Sequence, residues 1–537
     1  MTSLVVRWRE VKHPITTPKE VTVMILKSME CGKLEEIVAA AIELKSLLDQ
    51  AYRDGEPVHV VEQALREWSR KMNLMALEAY IEMHGTGDVG PTIVSPRDVE
   101  MDRLPETKRR SYLSAFGPVM IERTTYSAGN HQHEYAPLDA MLGLPEGKFS
   151  FLLQDFAQML GADLAWAKDC EVLERLLGAK IPVASLEDMN RHMAEGVPEY
   201  RQQREHPPIE KEAAIFVASG DGKGIIIRKP QDESEPAAPS ILPPATKGPK
   251  PGRKNVSIVG TLYSVDPYVR TPEQMLDILF RETPRPKDEP PRPRPCGKHV
   301  WAALDEEWVD DDGKVYPLPG LHTTFDWLSD EWRKRDPQHS RPLVTLMDGE
   351  HRLWDIADLY LTTGGHPDDA EVLDIMHVAE YLWGAAAALE TCREHQEAFF
   401  YERMGRILQG EVRKVITNLR TLATRRQLRG EKRKSITAAC GYFENNADRM
   451  QYDEYLRKGY PIASGAVEGA CRHLVKDRLE RTGMRWVREG AQAMLNLRSL
   501  WINGEWDDYQ QHYINTELAR LYPDRKSLIK QGLRSLP

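Results

Sequence analysis

The chain has 537 residues, enough for about three or four domains of ordinary size. Hydrophobic residues at 41% and charged residues at 29% describe a globular chain and exclude a wholly disordered protein, a collagen and a coiled-coil rod. With 72 basic and 82 acidic residues the net charge is −10, so any nucleic acid must be met by basic residues concentrated locally.

A mean hydropathy of −0.52, without an apolar run of about 18 residues, predicts no membrane-spanning helix. The opening MTSLVVRWREVKHP lacks a basic segment followed by a long apolar core, so no signal peptide is expected. The six cysteines (31, 170, 296, 392, 440 and 471) are scattered singly with no CxxC, the pattern of reduced thiols in a cytosolic protein.

In chain order, residues 17–84 are expected to be helical. Val61, Leu65, Trp68, Met72 and Met75 follow a four-three-four-three spacing, the seam of a bundle or coiled coil. That seam serves either an intramolecular packing or a dimerisation helix within a region spanning 1–104. From Arg110 to Asp139 the pattern changes to short strands, with GPVMIERTTY (117–126) alternating. A helix is expected over Leu153 to Leu177, broken at Gly178, with a second helix capped by Ser185 and ending near Gly196. This arrangement over 166–196 is compatible with a helix-turn-helix DNA reader inside a 105–205 region.

A first apolar strand, AAIFVAS (213–219), ends in GDGKG. Residues 229–255 hold seven prolines and residues 284–295 hold six. Both read as solvent-exposed insertions in an α/β domain covering 206–349, because strands resume at VSIVGTLYSV (256–265) and LVTLM (343–347). Residues from about 370 to 446 read as helical and carry the basic run RRQLRGEKRK (425–434), so 350–446 is expected to be an all-α insertion. A closing region, 447–537, contains YPIASGAVEGACRHLVKDRLERTGMRW, expected to be a helix opening at a Ser cap.

Two acids occupy similar places. Asp221 follows IFVASG and Asp348 follows LVTLM, each with glycine directly after it. Asp-Gly commonly starts a turn. Alternatively, acids at the ends of buried strands need a compensating charge, which a divalent cation supplies. Glu468, expected to be partly buried in the first turn of a helix capped by Ser464, makes the order D, D, E. That is the metal-binding order of RNase H-like nucleotidyl transferases, where paired ions clamp an in-line displacement at phosphorus.

The strings DGKG, LMDGEHRLW, DIMHVAEYLW, YPIASGAVEGACRHLVKDRLERTGMRW and LRSLWINGEWDDY resemble the ISKra-type insertion-sequence DDE transposases and, more distantly, Mutator-like transposases. The likeness is dense over 213–510, outside the proline-rich insertions, and weaker over 105–200, where TYSAGNHQHEYAPLDAMLGLP corresponds to a family segment. The resemblance implies an RNase H-like mixed sheet with an α-helical insertion and an α-rich N-terminal DNA-binding region. It implies Asp221, Asp348 and Glu468 as catalytic residues and ligands of Mg2+, with Mn2+ as a substitute. Asp374 and His377, in DIMH, match a D-x-x-H signature and are expected to share a helix face as supporting residues. The implied activity is cleavage at transposon ends and strand transfer into target DNA.

Double-stranded DNA is then the partner, a homo-oligomer forms on it, and the place is the cytoplasm, at the bacterial nucleoid. An RNase H-like nuclease without strand transfer, or a non-catalytic regulator derived from a transposase, are the alternative functions. Family members often carry two cysteines before the PLD-x-x-LGLP segment. Here Tyr126 to Tyr135 has His131 and His133 and no cysteine, so no zinc is expected. The four-residue spacing of Glu468, Arg472 and Lys476 predicts one helical stripe, with Arg472, Lys476, Arg478 and Arg485 contacting DNA phosphates.

Overall fold

The computed structural model describes residues 32–129, 134–228, 253–280, 291–309, 315–361, 365–481 and 484–532. Residues 17–31 of the expected N-terminal helix lie outside these, as do His131, His133, residues 229–252 of the first proline-rich insertion and residues 284–290 of the second. The chain forms two compact units. One comprises Met1–Ala157, Ala167–Val183 and His512–Pro537; the other comprises Gln158–Trp166 and Ala184–Gln511. Among the described residues no helix is long and apolar enough to cross a membrane.

In the first unit, α1 (Gly32–Asp54) and α2 (Val58–Glu82) are separated at Gly55, whose φ of 66° suits a residue without a Cβ. Lys33 pairs with Glu78 at 3.0 Å, and Trp68 Nε1 donates to Ala40 O at 3.0 Å, so the two helices run antiparallel. The heptad seam of α2 thus packs on α1 of the same chain. Gly117–Arg123 forms a hairpin with Lys108–Ser114 and buries alternate residues, as its sequence pattern indicates. Val119 and Ile121 from that face meet Ile81, Leu138 and Leu144. In the PLDAMLGLP segment, buried Asp139 is held by Arg110 at 2.6 Å and by Arg123.

The single helix expected over 153–177 is two, α3 (Phe151–Asp163) and α4 (Trp166–Leu177). It is followed by α5 (Val183–Ala194), so Ser185 sits inside α5 and does not cap it. Residues 167–183 belong to the first unit and residues 184–511 to the second. The two helices expected to form a helix-turn-helix are therefore divided between units.

The second unit is built on a five-stranded sheet: β1 (Ile215–Ile227), β2 (Arg253–Val265), β3 (Cys296–Ala303), β4 (Leu343–Met347) and β5 (Ala370–Leu373). Their order across the sheet is β5-β4-β1-β2-β3. Strand β2 is antiparallel to both β1 and β3, whereas β4 and β5 run parallel to β1. Strand β2 starts at Arg253, inside the range expected to be an insertion.

Period-two alternation divides the central strands between two apolar layers. Ile215, Val217, Val344 and Leu346 join one layer, and Phe216, Ala218, Leu343 and Met347 join the other. The second layer is completed by α6 (Gly320–Arg335), through Phe325, Leu328 and Trp332. Gly220 and Gly260 face each other in register on β1 and β2. A Cβ at either would stand 2.8 Å from a side-chain atom of α6, so the glycines are what lets that helix approach the sheet.

The block expected to be all-α from residue 350 contains β5, which completes the sheet. The helical insertion follows it as α7 (Ile375–Leu389), α8 (Arg393–Leu408), α9 (Val412–Arg425) and α10 (Gly430–Asn445). These helices bury Leu382, Phe400, Leu419 and Phe443 in the first apolar layer.

Candidate metal and catalytic site

Asp221 lies in the middle of β1 and not at its end. The thirteen-residue strand runs on through DGKG because β2 continues opposite it, with Gly222 paired to Ile258. Asp348 is the first residue after β4, and Asp374 the first after β5. Thr345 of β4 is level with Ala218 of β1, and Met347 is level with Leu373. The pairing of β1 with β4 ends at Ala218 and Thr345; beyond it the Asp374 N–H donates to Met347 O at 2.8 Å, and the charges of Asp221 and Asp374 both act on Asp348, so the three aspartates are neighbours.

Burial pushes the Asp348 carboxyl above its usual range, and the charges of Asp221 and Asp374 add to the shift. The N–H of Glu350, which donates to Asp348 Oδ1 at 3.1 Å, opposes it, as does His377. Asp221 Oδ1 accepts from the Gly222 N–H at 2.7 Å, and Asp221 Oδ2 accepts from the Cys471 thiol at 3.2 Å. Burial first, then the Asp221 charge, pushes that thiol up, so it stays a protonated donor. Gly349 does not serve a positive-φ turn. The Tyr442 ring lies against it, and a Cβ there would come within 2.3 Å of Tyr442 Cε2.

Asp374 is fully buried and forms the N-cap of α7, three residues before His377, and their ligand atoms come together. Its Oδ1 accepts from the Met376 N–H at 2.9 Å, and its Oδ2 accepts from the Ser464 hydroxyl. Ser464 precedes α11 (Gly465–Ala470) but spends its hydroxyl on Asp374 and does not cap that helix. Glu468, on α11, is exposed, contrary to the expectation of partial burial. The helix lies against β1 and β2. One ligand atom each from Asp374, His377 and Glu468 lie within 4.8 Å of one another, a set able to hold a metal ion. Glu468 therefore completes the D-x-x-H pair, while Asp221 and Asp348 stand outside this closest set. Among the described residues no lysine or arginine pairs with Asp221, Asp348, Asp374 or Glu468.

Beyond Glu468 the chain is not one α-helix. Cys471–Lys476 is a π-helix, and Asp477–Leu479 returns to α geometry. Glu468, Arg472 and Lys476 are all exposed, but the wider turn breaks the four-residue register that the expected single stripe relied on. Arg485 is exposed as well. Arg478 is not a DNA-facing residue. It is fully buried, its guanidinium stands 5.0 and 4.9 Å from the Trp166 and Trp486 ring centroids, and its Nε donates to Gly161 O at 2.7 Å. The roles of Cys471, Ser464 and Tyr442 were not read from the sequence, because each depends on a partner at least 90 positions away. Neither a protein-family model nor a curated protein matches the chain.

Proposed function

We propose that the second unit has an RNase H-like fold and that the chain is a DDE-type DNA transposase similar to the ISKra type, cleaving transposon ends and transferring strands into target DNA. The observation carrying this reading is the acidic cluster itself: Asp221 and Asp374 acting on Asp348, with Glu468 beside Asp374 and, among the described residues, no lysine or arginine paired to any of them. The sheet, three antiparallel strands followed by two parallel to the first, is the order expected of such a core.

The donor set is oxygen-rich with a single imidazole, which suits a hard divalent cation such as Mg2+, or Mn2+ in its place. Asp374, His377 and Glu468, whose ligand atoms lie together, would hold one ion, and Asp221 and Asp348 of the expected triad would add carboxylate ligands beside them. When bound, such ions polarise phosphorus–oxygen bonds and neutralise developing oxyanions. The protein's own work is positioning. Cys471 and Gly222 hold the Asp221 carboxylate, the Glu350 N–H holds Asp348, and Ser464 holds Asp374. In hydrolysis a water oxygen bonds to phosphorus and gives a proton to solvent while the P–O3′ bond breaks and the leaving O3′ takes a proton from solvent, giving a 5′-phosphate and a 3′-hydroxyl. In transfer that 3′ oxygen bonds to a target phosphorus and a target 3′ oxygen leaves. One ester bond replaces another, so no energy-rich co-substrate is needed.

The test is cleavage and joining of duplexes carrying the element's ends in Mg2+ or Mn2+. Asp221→Asn, Asp348→Asn and Glu468→Gln should each lower cleavage by at least about a hundredfold while DNA binding persists. Near-normal cleavage by Asp348→Asn would overturn the assignment, and cleavage without joining would indicate a nuclease.

A further inference from the structure

A small cavity of about 50 Å³ in the second unit gathers three arginines from three separate elements. Arg191 comes from α5, Arg228 directly follows β1, and Arg485 precedes α12 (Arg488–Asn503). The chain builds this convergence with backbone bonds. Trp486 N–H donates to Ile226 O at 3.1 Å and Arg228 N–H donates to Trp486 O at 2.8 Å, so the end of β1 and the segment carrying Arg485 are zipped together. The indoles of Trp486 and Trp166 line the cavity, and both flank the buried guanidinium of Arg478.

Among the described residues that line the cavity, arginines outnumber carboxylates three to one. Arg191 pairs with Asp188 on its own helix, and Glu187 also lines the cavity. Arg228 and Arg485 pair with no carboxylate among the described residues. Three arginines lining one small concavity beside an aromatic wall supply the charge and the N–H donors that a tetrahedral oxyanion requires.

We propose that this cavity seats one phosphate of the DNA backbone, outside the catalytic cluster and on the same strand that carries Asp221. The proposal rests on the DNA-processing reading above and adds the place where the duplex is held. Arg228 lies seven residues beyond Asp221, about 23 Å along an extended strand. The seated phosphate would thus lie several nucleotides from the one undergoing reaction, fixing the register of the duplex without reading its sequence.

The test uses the full chain and two sets of probes. Arg228→Ala, Arg485→Ala and the double variant are titrated with unrelated duplexes over a range of salt, and with duplexes bearing single methylphosphonates scanned along each strand. The expected result is a similar weakening for every sequence, about tenfold for the double variant, and a slope of log K against log salt flatter by up to roughly one unit. One methylphosphonate position should weaken the wild type and have no further effect in the double variant. Variants that melt like the wild type yet keep its affinity, slope and methylphosphonate profile would overturn the proposal while leaving the transposase reading intact. A wild type that binds no duplex would sink both. Inorganic phosphate provides the remaining arm: if it raises the wild-type melting temperature but not that of the double variant, while duplex binding is untouched, the cavity takes a free anion and the DNA assignment is wrong.

Discussion

At the scale of single residues, neighbours that no local pattern announces decide what each functional side chain can do. Gly349 is an example, because Asp-Gly in a sequence suggests a turn whereas here it admits the ring of Tyr442 beside Asp348. Gly349→Ala should therefore force the ring or the Asp348 loop to move, costing about 1–3 kcal/mol in denaturant unfolding. Combined with Tyr442→Ala, the added cost of the alanine at 349 should largely vanish. An unchanged cost in that background would show that the ring is not the obstacle.

Glu331 shows the same dependence on distant partners. Burial pushes its carboxyl up, but hydrogen bonds from His206 and His299 and the charge of Arg204 bring it well below the usual range. A carboxyl depressed in the folded state adds stability that is present above its unfolded value, about 4.3, and is lost as pH falls through the folded value. The stability difference between wild type and Glu331→Gln should accordingly hold from about pH 7 to about pH 5 and shrink below about pH 4. A difference that widens on acidification would contradict the depressed carboxyl.

At the scale of elements, the segment after Glu468 separates two kinds of arginine that look alike in sequence. Arg472 and Lys476 are exposed, with only a 3.9 Å approach of Arg472 to Asp477, whereas Arg478 is sandwiched between two indoles. Arg472→Ala and Lys476→Ala should leave the melting temperature nearly unchanged, since surface substitutions typically stay within about ±0.5 kcal/mol. Each should weaken all duplexes about equally and flatten the salt slope by up to roughly one unit. Arg478→Ala should instead destabilise the unit by about 2–4 kcal/mol, through a cavity between the tryptophans and loss of the bond to Gly161. Paired salt titrations and thermal melts check this, and a stable Arg478→Ala with a flattened salt slope would reverse the assignment. The π-helix within this segment was not legible, because a widened turn leaves hydrophobic spacing almost intact and depends on what Cys471 and Leu474 pack against.

At the scale of the whole molecule, chain order and compact units do not coincide. The first unit is closed by the C-terminal segment. Tyr135 donates to Asp524 at 2.9 Å, and Arg525 Nε donates to Ala140 O at 3.0 Å. The second unit borrows Gln158–Trp166, which supplies Trp166 and Gly161 to Arg478. A fragment ending at residue 205, the boundary expected from sequence alone, should thus lose the contacts of residues 512–537 and melt broadly or be degraded quickly in limited proteolysis. A sharp, cooperative transition for that fragment, equal to one phase of the full chain, would contradict this division.

What the sequence determined by itself is what short-range periodicity encodes. The alternating Gly117–Arg123 strand, the central LVTLM strand and the helical block from Ile375 were all readable, because side-chain period is a local property. Tertiary structure alone decided the rest. The sheet brought Asp374 beside the two other aspartates; packing buried Arg478 and left Glu468 exposed; and segments hundreds of positions apart closed each unit. Those outcomes follow from which buried charges and backbone groups find partners across the fold, a condition satisfied only once the whole chain is in place.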